Sequence, residues 1–231
     1  VIDVDVGYVW KHSVASGSWM DAANWDGGVP TASGTAFVLN EGRDYDIRVT
    51  DATEFGGILI RNDGTHTSRI SISNGCVLAS ASGVAIERGG RLEVGAGGGL
   101  AFFQRDSLGS NGIKVREGGQ FTISGDGSAS VFVEAGRWVN PLEMDGGLIS
   151  VRDDGRLRIC GSAVNCRYFG TGATTFSDSA RLVVSCKVNE HPVVFLSPNG
   201  TGETLEMNFT GASGIEMGDD GMLDGLVLGH K

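Results

Sequence analysis

The sequence predicts an all-β chain wound as a right-handed parallel β-helix, a solenoid of short stacked strands. Three observations predict it. Residues 83–94, GVAIERGGRLEV, place Val84, Ile86, Leu92 and Val94 in two alternating runs around Gly89-Gly90. That period of two is the mark of half-buried strands, and glycine supplies the turn because it alone enters positive φ without steric cost. The module then returns: GIKVREGGQFTI at 112–123 sets Ile113, Val115, Phe121 and Ile123 in the same places, at a shift of 113 − 84 = 121 − 92 = 29. Lastly, no long window keeps a helical i, i+3, i+4, i+7 stripe, since glycine interrupts nearly all of them.

Further copies decay along the chain. PLEMDGGLISV at 141–151 keeps Leu142 and Met144 at the same shift, whereas Ile149 and Val151 arrive one residue early. A weaker copy is read at 214–223, with Ile215, Met217 and Leu223 in the module's positions, and looser relatives lie at 55–60 and 176–184. Other strands are expected at 35–40, 45–49, 58–61, 68–73 and 77–81, then 174–176, 181–187, 193–196, 204–210 and 214–217. Asn, Asp, Ser and Gly separate them, as in GDGS at 125–128. A repeating unit of about 30 residues that cannot bury its own apolar edge stacks on its neighbours. A β-sandwich would share the short strands, but the constant register shift favours the solenoid.

Composition narrows the function classes. Glycine makes up 38 of 231 residues, scattered rather than in a G-X-Y period, which excludes collagen and fits turns. The net charge of −10 argues against wrapping nucleic acid, which needs a Lys/Arg footprint. No apolar run is long enough for a membrane-spanning helix, so no membrane insertion by this segment is expected. The opening residues lack a signal-peptide layout. Cys160 and Cys166 are spaced to close a small disulfide loop; the alternative is that all four cysteines are buried thiols. With no C-x-x-C and four scattered histidines, neither a metal nor a cofactor is expected.

Residues 1–34 differ from the coils at 35–231 and hold three of the four tryptophans, which marks them as an N-terminal cap segment. Trp10, Trp19 and Trp25 precede Pro30, a residue that stops further strand pairing. Trp19 and Trp25 are also candidates for carbohydrate binding, because indole faces stack on sugar rings. The set Trp10, Gly17, Trp19, Ala23, Asn24, Trp25, Gly28 and Pro30 resembles the opening of bacterial autotransporter passenger regions and related secreted β-helix surface proteins. The Gly-Gly coils resemble those passengers as well. The resemblance implies export to the extracellular space or bacterial cell surface, linked in that family to an outer-membrane barrel. It implies a non-catalytic adhesin, biofilm or virulence factor, or a surface scaffold. Its partner would be a host-surface or matrix ligand, a polysaccharide, or a second copy in self-association. No barrel is present here and the last residues are LVLGHK, so the chain is either a passenger segment or a relative outside the autotransporters.

Catalytic motifs are scarce. GDGSAS at 125–130 displaces Ser128 from a protease pattern, and no P-loop occurs. The alternative function is a polysaccharide lyase or glycosidase, which needs two acids at a set separation. Asp145 with Asp153 or Asp154, and Glu216 with Asp219 or Asp220, are the candidates. Their competing reading is turn chemistry. Glu87, Glu117 and Asp145 are expected to align on stacked coils, where they would repel unless cation-bound or offset by Arg88 and Arg116. The sequons at Asn199 and Asn208 are expected to stay unmodified in a bacterial surface protein.

Overall fold

The computed structural model describes residues 7–39, 41–104, 112–133, 139–161, 166–186, 193–197, 205–217 and 225–228. Parallel strands stack into a β-solenoid, and the described residues hold one short 3-10 helix, Ala22–Asn24. Three ladders run along the stack. The first joins Gly7–Trp10, Thr35–Val38, 57–60, 83–86, Ile113–Arg116, 142–146, 166–170, Val193–Ser197 and Gly225–Leu228. The second joins Ser16–Ser18, Tyr45–Val49, Ser68–Ile72, Gly90–Val94, Gln120–Ile123, 147–151, 172–176 and Leu205–Phe209. The third joins 53–55, 77–80, Gly99–Gln104, Ser128–Val133, Arg156–Gly161, Arg181–Cys186 and Gly214–Met217.

The repeated module is the corner between the first two ladders. Ile113 pairs with Val84 and Leu142, and Phe121 with Leu92 and Ile149, matching the register read from the sequence shift. Ile149 arrives early because the corner from Asp145 to Leu148 is one residue shorter than that from Arg116 to Gln120, and the ladder is irregular there, with Arg116 facing both Asp145 and Gly146. Alternation sends Val84, Ile86, Leu92, Val94 and their partners inward, where each is buried. Coil length varies more widely than expected: Thr35 pairs with Gly57 on a short coil, and Ala173 with Glu206 on a much longer one. Corners absorb the difference while the strands keep step.

The paired glycines divide two tasks. Gly89, Gly118 and Gly146 take positive φ, between 72° and 75°, to turn the chain. Gly90 adopts ordinary φ, yet a Cβ there would lie 2.6 Å from the Ile60 carbonyl of the neighbouring coil. Gly119 is equally crowded by the Ile86 carbonyl. The second glycine therefore sets how closely coils approach.

One strand falls on a different face from the expected one. Gly214–Met217 pairs with Arg181–Cys186 on the third ladder, so it is not a copy of the 83–86 strand. Alternation of two apolar residues states that a strand has an inner face, not which wall of a three-sided tube it occupies.

Within residues 1–34, Gly7–Trp10 and Ser16–Ser18 supply the first rungs of two ladders. Trp25–Asp26 pairs antiparallel with Gly7–Trp10 on the edge opposite Thr35–Val38. Trp10, Trp19, Trp25 and Pro30 are buried. Trp25 packs edge-on against both Trp10 and Trp19, with centroids 5.0 and 4.8 Å away. Trp10 donates its indole N–H to the Val14 carbonyl at 2.7 Å. Asp21 caps the 3-10 turn by accepting from the Ala23 amide. Asn24 donates to the Ser18 carbonyl at 2.9 Å, into space that a Cβ on Gly17 would fill. These contacts account for the spacing of glycine, asparagine and tryptophan in this segment.

Candidate functional site

Outward side chains of the third ladder, together with residues of the corners leading into it, line a polar cleft of about 640 Å³. Asp126 and Ser128 come from one rung, Asp154, Arg156 and Arg158 from the next, then Ser179 and Arg181, then Glu216. The cleft therefore crosses four successive rungs, about 14 Å at the usual strand spacing. Arg156 and Arg181 stand in register on neighbouring strands. Arg158 is in register with Val183, which pairs onward with Glu216. Val183 shares this column but is buried, so the accessible lining of the cleft is polar.

The arginines are held differently. Arg181 Nη1 donates to the carbonyls of Ser179, Ala180 and Ala212 at 2.9, 3.1 and 2.6 Å, which fixes its guanidinium at the corner. The side chains of Arg156 and Arg158 form no ion pair or hydrogen bond among the described residues, and neither do the carboxylates of Asp154 and Glu216. Asp126 Oδ1 accepts from the Gly97 amide at 2.6 Å and is thus engaged in its corner. Charges of both signs line one concavity without neutralising one another.

The other expected acid pairs are separated or differently employed. Asp145 lies at the corner of the first and second ladders, in a groove of about 430 Å³ with Arg61, Glu87, Arg88, Arg116 and Glu117. Asp153 lies at the corner of the second and third, where it takes φ of 58° and accepts from the Gly125 amide at 3.1 Å. Asp145 and Asp153 are thus on different corners. The expected column of Glu87, Glu117 and Asp145 also needs correction: register sets Arg116 over Glu87, with Asp145 beyond it. Arg116 pairs with Glu87, and Arg61 lies 3.7 Å from the same carboxylate, so the column alternates in sign. Asp219 and Asp220 lie outside the described residues, as do the side chains of Cys160 and Cys166. Cys76 is a buried free thiol.

The two described histidines are committed elsewhere. His12 Nδ1 meets the Tyr45 hydroxyl at 2.8 Å, and His66 Nδ1 meets Asp63 at 2.9 Å. Neither stands with Ser128. Asp63 also accepts from the amides of His66, Thr65 and Gly42. The His66 amide, followed by the His66 ring, holds the Asp63 carboxyl well below the usual carboxylate range. Asp44 is lowered chiefly by the Thr67 amide. These shifts reflect loop architecture on early coils. Among the described residues, no cluster of three potential ligands is poised for a metal, and no helix is long and apolar enough to cross a membrane.

Trp19 and Trp25 are 0% and 2% exposed, so neither indole presents a face on which a sugar ring can stack. The arginine cleft, in contrast, is absent from the sequence expectations. Its signal is the RLR at 156–158 and RLV at 181–183, each opening a strand after an acidic turn. Comparison with family models, with curated proteins and with solved structures returns no match.

Proposed function

We propose that the chain is a non-catalytic surface solenoid of the autotransporter-passenger type, working outside the cell in adhesion, biofilm or surface structure. In this reading it winds right-handedly, as parallel crossovers overwhelmingly do. The tryptophan segment closes its first coil, and the wall of the tube binds a polymer. The observation that carries the reading is the cleft across four rungs whose unpaired side chains of both signs face outward. Strands Ser128–Val133, Arg156–Gly161 and Arg181–Cys186 are paired on both edges, so a partner there is read by side chains rather than by strand addition.

The test is retention of the purified chain on surfaces coated with polysaccharides or matrix polymers. Retention on at least one, lost when Ser179→Trp fills the cleft, supports the reading. No retention on any surface, or retention indifferent to Ser179→Trp with the fold intact, overturns it.

A second reading rests on Asp126, Asp154 and Glu216 lining the same cleft. Two such acids flanking a glycosidic bond are the requirement for its hydrolysis. New reducing ends released from a retained polymer, and abolished in Glu216→Gln, would favour a glycosidase over an adhesin.

A further inference from the structure

We infer that the third-face cleft selects a carboxylate-bearing polysaccharide, with Arg156 and Arg158 as the side chains that grip its acid groups. The inference rests on the reading of this cleft as a polymer-binding surface and names the class of polymer.

The argument begins with the guanidinium groups. Arg156 and Arg158 leave their donors unspent among the described residues, although acids line the same concavity. A guanidinium presents a planar fork that matches a carboxylate with two parallel hydrogen bonds. The two side chains project from alternate positions of one strand, about 6.6 Å apart along the chain. Arg181, one rung from Arg156 and fastened to three carbonyls, adds a fixed positive charge. A ligand with acid groups recurring along its length can engage all three charges at once, which gives it an advantage over a single small anion.

The remaining lining chooses between polymers. Ser128 and Ser179 offer hydroxyls at opposite sides of the arginine rung, suited to hydrogen-bonding sugar hydroxyls. Single-stranded nucleic acid would call for aromatic stacking platforms, and no aromatic side chain lines the cleft among the described residues. Asp126, Asp154 and Glu216, on a chain of net charge −10, oppose dense negative charge. That favours one carboxylate per sugar over a heavily sulfated chain. The acids thereby act as a filter, and the arginines as the anchor.

The experiment is titration of the full chain with labelled oligogalacturonates long enough to span the cleft. Neutral glucan oligomers and dextran sulfate serve as the other arms. Oligogalacturonate is expected to bind, and Arg156→Gln and Arg158→Gln are each expected to weaken it about tenfold. Arg152→Gln, the same charge change on an exposed corner outside the cleft, is expected to leave affinity within about twofold. Circular dichroism and melting establish that each variant is folded. If Arg156→Gln is not, Arg156→Lys keeps the charge without the fork and is expected to bind several-fold more weakly. Neutral glucan bound as tightly would overturn the inference while leaving the polymer-binding reading intact. Tighter binding of dextran sulfate, or affinity unchanged in both glutamine variants, would also overturn it. Binding in no arm would overturn both.

Discussion

Trp25 donates its indole N–H to the main-chain carbonyl of Trp19 across 2.8 Å, while the two rings meet edge to face. One residue thus closes a backbone hydrogen bond and fills the space between two other tryptophans. Trp25→Ala is expected to lower stability by about 3–5 kcal/mol through the cavity it leaves. Trp25→Phe keeps most of the volume but strands the Trp19 carbonyl, at a cost of about 1–3 kcal/mol. Urea unfolding followed by tryptophan fluorescence and circular dichroism would separate the two. Equal losses would mean that the hydrogen bond, not the packing, dominates.

The two glycines of one corner should respond differently to an added methyl. Gly118→Ala meets mainly the flexible Arg88 side chain, so its cost is the positive φ of 75°, about 1–2 kcal/mol. Gly119→Ala drives a Cβ into the Ile86 carbonyl of the neighbouring coil, where only a backbone shift relieves it. Thermal melts should show the larger loss at 119.

Glu87 lies between Arg61 and Arg116, with its side chain 14% exposed and those of both arginines 45% exposed. Glu87→Gln leaves the cations on the rungs either side of it without their shared acid. A loss of about 1 kcal/mol is expected at low salt, shrinking as added salt screens the repulsion. Melting temperature against salt concentration measures this; a salt-independent loss would point to packing instead.

Asp63 makes part of the stability acid-sensitive. Its folded carboxyl is held below its unfolded value of about 4, so it adds stability above that pH. The contribution is lost as pH falls below about 4 and the carboxylate takes up its proton. Melting temperature should therefore fall on acidification, and Asp63→Asn should flatten that part of the curve. An unchanged slope in the variant would assign acid lability to other carboxylates.

Much of the fold was legible because solenoid register is written in sequence distance. Val84, Ile113 and Leu142 share one inward column, and their even spacing stated their pairing directly. Gly214–Met217 was misplaced because its pattern of Ile215 and Met217 suits any of three walls. The cleft was harder still. Arg156 and Arg181 are a whole coil apart along the chain yet one rung apart in space, and coils of unequal length hide such neighbours. Acid pairs drew the first attention because catalysis is recognised by residue type, whereas Asp145 and Asp153 are kept apart by a corner that only three dimensions reveal.

The unequal coils have a mechanical side. Each rung is bonded sideways to the rung before and the rung after, so tension between two distant points would strip the tube one loop at a time. Every released loop would lengthen the tether by its own contour, little for the coil from Thr35 to Gly57 and more for the one from Ala173 to Glu206. Pulled singly, the molecule should yield in a staircase of unequal steps. Such a filament dissipates a jolt gradually where a globule gives way at once.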